Sequence, residues 1–355
     1  MNWQKNRVTE AIGIDHPILQ GPFGGGFSSV KLLSTVSNAG GLGAYGAYTL
    51  SAQEIYEIDK QIKTATNKPY NINLWVSDTD TKDGTVSDDL YEKTKKIFQP
   101  YFDQLGIPVP QKPAPFHSRF ENQLQAILDI KPKVFSYMFG TLSEDILQEC
   151  SKRGIKTVGA ATTVDEAIAL EATGTDMIIA TGFEAGGHRP SFLEAAELSM
   201  TGTFVLLQLV REKVKIPVIA AGGIADGRGA KAAFTLGADA VQIGTAFLAC
   251  EESNASPLHR QMLFSESAKQ TALSRSFTGR LGRGLSSRLV KELLSKETPN
   301  LPFPLQTTFM APLKQAATDQ QRADMIFFWG GQIAPLVKYR KAGELMEVLI
   351  RELNA

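Results

Sequence analysis

PVIAAGGIADGRG, residues 217–229, and GADAVQIGTAFL, residues 237–248, decide how this chain is built. Each carries a short apolar run that meets glycine, Pro217 to Gly222 in the first and Ala240 to Leu248 in the second. Between them a helical pattern passes through Phe234 and Leu236 and stops at Gly237. Strand, glycine turn, helix and strand again is the βαβ unit, whose strands lie parallel in one sheet. The same alternation recurs upstream. Apolar runs at His16 to Gln20, Gly41 to Ala47, Asn71 to Val76, Val134 to Gly140, Thr157 to Thr162 and Asp176 to Phe183 alternate with helical patterns. With the opening pair they make eight strands, and the expected fold is a TIM (β/α)8 barrel over residues 1–250.

The chain has 355 residues, more than the roughly 250 such a barrel needs. The surplus falls in two places. Residues 77–120 turn rich in Asp, Thr, Lys and Pro around one amphipathic helix marked by Leu90, Ile97, Phe98, Tyr101, Phe102 and Leu105, and read as an insertion between the third and fourth strands, over the barrel mouth. Residues 251–355 read as a helical extension packed on the barrel, ending in a helix with Leu345, Val348, Leu349 and Leu353 on one face. Thr163 and Glu166 have capping-box spacing at the start of the helix after strand five.

Composition excludes several function classes. Lys plus Arg and Asp plus Glu both total 37, so no net field draws in nucleic acid or an anionic membrane surface. Any bound anion must be held by local geometry. Hydrophobic residues are 43% and charged residues 21%, ordinary values for a globular enzyme. Cys150 and Cys250 form no zinc or redox spacing, which suggests a reducing compartment, with the cytoplasm as the default. The polar start MNWQKNRVTE has no secretion-signal pattern, and no apolar run is long enough to span a bilayer. Oligomeric state is left open.

In a parallel barrel, ligands lie at the carboxyl ends of the strands. Strand seven closes on Gly222 and Gly223, and strand eight runs into Gly244 and Thr245. Glycines let backbone N–H groups approach an anion, and a helix N-terminus adds roughly 0.3–1 kcal/mol per exposed charge. Tight turns alone would also place glycines here, but two such turns side by side point to a phosphate cradle. GFEAGGHRP, residues 182–190, carries His188 behind flexible glycines that would let its ring swing over a flat ligand, and imidazole titrates near neutrality. A loop histidine satisfied by backbone carbonyls is the plain alternative. His16, His117 and His259 read as structural or solvated. QGPFGGG, residues 20–26, with Asn73 and Gln242, could match the donors and acceptors along a flavin edge.

Together QGPFGGG, NIN, GFEAGGHR, PVIAAGGIADGRG, GADAVQIGTAFL and GRLGRGLSSR, with WGGQ at 329–332 a further echo, resemble the nitronate monooxygenase family, over residues from about 15 to 290. The resemblance implies an FMN-dependent barrel that oxidises alkyl nitronates of the propionate 3-nitronate type, and nitroalkanes, with O2, giving a carbonyl compound and nitrite. It implies that Gln20, Gly21, Pro22, Asn73, Thr181, Gly186, Gly187, Gly222, Gly223, Gln242, Ile243, Gly244 and Thr245 hold the cofactor and that His188 faces the substrate, without a metal. His188 would take the α-proton of a neutral nitroalkane, or orient and stabilise an ionised nitronate. Two features depart from the family pattern: Thr181 stands where many relatives have glutamine, and Gly21 and Phe23, where a small residue and Met are common, flank the first-strand proline. The nearest rival is the FMN- and NAD(P)H-dependent enoyl-[acyl carrier protein] reductase of the same barrel superfamily. A non-redox barrel that binds sugar phosphates is a rival of another class. Phe116, Tyr137 and Phe139 are candidate pocket walls.

Overall fold

In the computed structural model, which describes residues 3–296 and 299–355, the eight expected runs form one parallel sheet. Its strands are β1 Ile18–Gln20, β2 Gly43–Gly46, β3 Tyr70–Trp75, β4 Val134–Met138, β5 Lys156–Ala161, β6 Met177–Thr181, β7 Val218–Ala221 and β8 Ala240–Ile243. They are paired in the order β1-β8-β7-β6-β5-β4-β3-β2. A bridge between Leu19 and Leu42 closes the ring, giving a TIM barrel with helices around it. No helix among the described residues is long and apolar enough to cross a membrane.

The two-residue period of a strand sorts side chains into two cores. Leu19, Val134, Val158, Met177, Ile179, Ile219 and Ala240 point inward, with Val8 and Ile12 of the helix Arg7–Ile12 packed among them. Ile18, Ile72, Phe135, Ile178, Val218 and Val241 point outward under the helices. Each such fully buried Val, Leu, Ile, Met or Phe side chain contributes roughly 1.5–3 kcal/mol relative to exposure. The parity fixes which residues can reach a ligand inside the ring.

The eighth strand is shorter than expected: β8 ends at Ile243, and Thr245–Leu248 is a short helix. Its apolar residues are buried on all sides, so composition alone reads as strand. The insertion forms the helix Asp88–Gln104, but one layer behind the mouth. Phe98 and Phe102 each pack 5.6 Å from Phe309, on the helix Leu305–Asp319. The capping box forms by half. Thr163 caps the Glu166 N–H, while the Glu166 carboxylate turns to the Thr162 N–H and hydroxyl and to the N–H groups of Phe192 and Leu193. The tail from 251 is not wholly helical: Thr271–Ser274 and Gly282–Leu285 are strands that pair with each other and, through the second, with Gly187–His188.

Candidate functional site

At the carboxyl ends of the strands lies a cavity of about 360 Å³, within the range of small-molecule sites. Of the expected cofactor residues, Gly21, Pro22, Asn73, Thr181, Gly186, Gly187, Gly222, Gly223, Gln242, Gly244 and Thr245 line it, as does His188. Gln20 and Ile243 do not. They are register partners on β1 and β8 and share the outward parity, opposite to Leu19 and Gln242. The Gln20 amide is spent on Gly21 O and on the Ala44 N–H, and Ile243 is fully buried in the outer core. Neither side chain can reach a ligand in the barrel mouth.

Asn73 donates through Nδ2 to Ser136 Oγ at 3.0 Å and Ser136 O at 3.2 Å, and its Oδ1 accepts from none of the described residues. The side chains of Gln242 and Thr181 make no hydrogen bond with the described residues. All three stand at the inner face of strand ends with polar capacity unspent.

The rim of β7 and β8 tests whether a phosphate fits. The backbone N–H groups of half-buried Gly222, Gly223 and Gly244 and of buried Thr245 donate to nothing among the described residues, and such groups need a partner once a ligand shuts water out. Gly222 and Gly223 have φ of 105° and 71°, the left-handed region open to glycine. A Cβ on Gly244 would meet no protein atom within 4 Å, so the space beside it belongs to the cavity. Four unspent donors at the ends of adjacent strands suit a phosphate. The helix Gly227–Thr235 contributes less than expected, because Asp226 caps Gly229 N at 3.0 Å and Glu352 takes Gly227 N at 2.7 Å. Its N-terminus is already answered by two carboxylates.

His188 is pinned rather than swinging. Gly187–His188 pairs with Gly282 and Arg283, and Arg189 N donates to Leu281 O at 2.9 Å. Two buried guanidiniums brace the turn in front. Arg189 donates to Thr181 O, Gly182 O and Ser199 O, and Arg283 donates to Phe183 O at 3.1 Å and Thr271 Oγ1 at 2.9 Å. Burial and the neighbouring Arg283 pull Arg189 down to about 10, which leaves it charged at neutral pH. Gly187 has φ of 85°, which a side chain would strain.

The imidazole lies among aromatic rings, 5.1 Å from Trp75 and 4.8 Å from Trp329. Its Nε2 is 2.9 Å from Thr278 Oγ1, and that hydroxyl donates to Arg280 O at 3.1 Å. With its single proton so engaged, Thr278 can only accept from the ring. Nε2 therefore carries the hydrogen and Nδ1 the lone pair, and Nδ1 has no partner among the described residues. Burial, aided by the Arg280 charge, pushes His188 down to about 3. Arg280 itself is sandwiched, 4.1 Å over Phe139 and 4.5 Å over Phe303, with Asp80 at 2.6 Å.

Several contributors carry no local signal in the sequence. Thr278, Trp329 and Phe303 reach His188 or Trp75 only through tertiary folding. His259 is buried, bonds Trp329 O at 2.8 Å and packs on Phe27 and Phe328, so it holds Trp329 rather than facing solvent. Of the candidate walls Tyr137 lines the cavity, whereas Phe139 lies behind Trp75. Phe116 is outside it, as is the whole insertion.

A family model described as nitronate monooxygenase matches residues 5–352. A probable nitronate monooxygenase of Staphylococcus aureus (strain Newman) is 34% identical over 353 residues, covering 99% of this chain and 98% of that one. The crystal structure of nitroalkane oxidase from Streptomyces ansochromogenes superposes with a TM-score of 0.89 at 32% identity, covering 98% of this chain and 97% of its own. FabK from Thermotoga maritima follows with a TM-score of 0.74 at 27% identity, covering 99% and 96%.

Proposed function

The chain belongs to the nitronate monooxygenase family and is an oxidoreductase, and from that premise we propose that it binds FMN and oxidises alkyl nitronates, and neutral nitroalkanes after deprotonation, with O2 to a carbonyl compound and nitrite. Family membership implies a flavin, and the observation that carries the choice of a phosphate-bearing one is the set of four unspent N–H groups at Gly222, Gly223, Gly244 and Thr245. These would hold the phosphate. Asn73 Oδ1, the Gln242 amide and the Thr181 hydroxyl would meet the polar edge of the ring, and Gly21, Pro22, Gly186 and Gly187 would bound it. Thr181 is shorter than a glutamine, so Gln242 takes more of that edge. Bound flavin supplies the redox chemistry.

The residues divide the remaining work. Thr278 fixes the tautomer that leaves Nδ1 as an acceptor, so the neutral ring has a lone pair free to take the α-proton of a neutral nitroalkane, although burial, which pulls its pKa down to about 3, also makes it a weak base. An Nδ1 lone pair gives no hydrogen bond to an already ionised nitronate, so the geometry supports the base role over the anion-stabilising one. Trp75, Trp329 and Tyr48, the last stacked 3.7 Å on Trp75, keep water from the reacting carbon.

The reductase reading has the weaker structural likeness, at a TM-score of 0.74 against 0.89. The test is stoichiometric. Flavin-loaded enzyme given an alkyl nitronate in air should consume O2 and release nitrite with no NAD(P)H added. A requirement for NAD(P)H, or O2 uptake without nitrite, rejects the proposal.

A further inference from the structure

Of the eight large hydrophobic side chains that the described residues leave exposed, six fall between 168 and 209: Ile168, Leu193, Leu198, Phe204, Val205 and Leu209, with 41% to 72% of their surface open. Phe204, Val205 and Leu209, with Gln208 and Glu212, form the outer face of the helix Thr203–Lys213, whose Leu206, Leu207 and Val210 pack inward. A surface helix ordinarily turns a polar face outward. The helix Val164–Ala172 packs beside it and carries Ile168. Leu193 is fixed at the start of that neighbour, its N–H donating to the Glu166 carboxylate at 3.2 Å. Leu198 lies in the same loop, four residues ahead of the N-cap Gly202.

We propose that this face is a homodimer interface, in which the helices Thr203–Lys213 of two copies of the chain pack antiparallel. Its extent fits such a partner. The six side chains together expose on the order of 500 Å² of apolar surface, which matches the apolar share of a standard interface, about 60% of roughly 800 Å² per partner. Its charges fit a two-fold axis. Glu194 is exposed ahead of the helix, Lys213 and Lys215 are exposed at its far end, and none of the three makes an ion pair with the described residues. A two-fold axis near Gln208 reverses the helix in the second copy and sets the acidic end of each against the basic end of the other. None of the six apolar residues lines the cavity, so the mouth stays open to substrate in the pair.

The experiment is analytical ultracentrifugation of the full chain over a range of concentrations. Wild type should sediment as a dimer at micromolar concentration. Phe204→Glu should raise the dimer dissociation constant about hundredfold or more, because an aromatic anchor is lost from both sides of the interface. An acid in the first turn suits a helix, so the circular dichroism of this variant should equal that of wild type. Leu336→Glu, at an exposed leucine outside the face, should leave the dimer as tight as before. Glu194→Lys and Lys213→Glu should each weaken the dimer several-fold, and the double variant should regain most of the loss. A wild-type chain that stays monomeric at about 100 μM, or a Phe204→Glu dimer as tight as wild type, overturns the proposal. A double variant weaker than either single one overturns the antiparallel pairing and the proposal with it.

Discussion

His188 and Thr278 are 90 residues apart in the chain, yet Nε2 of the one sits 2.9 Å from Oγ1 of the other. Because Thr278 donates its own hydrogen bond to Arg280 O, one hydroxyl decides which ring nitrogen carries the hydrogen and which the lone pair. Thr278→Val keeps the shape and removes the acceptor. Turnover of neutral nitroalkanes should fall on the order of tenfold, a fraction of what general-base catalysis supplies, while flavin affinity stays at the wild-type value. Equal rates in the two proteins would mean that the tautomer is fixed by something else.

His188→Asn removes the base and leaves a polar group of similar reach. Flavin should be retained, and kcat/KM on neutral nitroalkanes should drop by about 10²–10⁴. Pre-formed nitronate should lose much less, since it needs no deprotonation. The comparison of the two substrate forms reads the base role directly.

Gly244→Val separates folding from cofactor binding. The added Cβ meets no protein atom within 4 Å and the φ of −97° suits an L-residue, so the apoprotein should melt at nearly the wild-type temperature. Its FMN dissociation constant should rise at least about tenfold, because the branched side chain enters the space assigned to phosphate. Gly186→Ala should differ. There a Cβ would lie 2.5 Å from Gly331 N, so the apoprotein itself loses stability.

Two histidines make the fold acid-sensitive. Burial lowers His188 to about 3 and His259 to about 4, against about 6.5 in an unfolded chain. Between those limits the unfolded state binds more protons. The stability that comes from keeping both rings neutral is therefore complete above pH 6.5 and is lost as pH falls toward 4. Denaturant melts from pH 7 to pH 4 should show that decline, and His259→Gln should show a shallower one. A variant slope equal to that of wild type would remove His259 from the account.

The barrel was legible because its signal is local and repeated: each strand pairs an inward residue such as Leu19 or Ile219 with an outward one such as Ile18 or Val218. Most of the cavity lining followed, since glycine turns at strand ends are also local. Parity was legible too, and applied to Gln20 and Ile243 it would have placed both outside. Other features were not. Thr271–Ser274 and the glycine-rich Gly282–Leu285 are strands only because they pair with each other and with His188, and neither has an apolar alternation to betray it. Trp329 and Lys314 are brought to the mouth, and Phe303 against Trp75, by a tail whose docking no periodicity encodes. Glu166 is drawn away from the Thr163 N–H by donors outside its helix, the Thr162 N–H and hydroxyl and the N–H groups of Phe192 and Leu193, which satisfy both oxygens of a buried carboxylate.

The central claim is that this cavity holds a flavin which a nitronate reduces. The direct measurement is an anaerobic titration of the flavin-loaded protein followed by its yellow absorbance. The account predicts bleaching on addition of an alkyl nitronate and no change with NADPH, and the reverse pattern would contradict it.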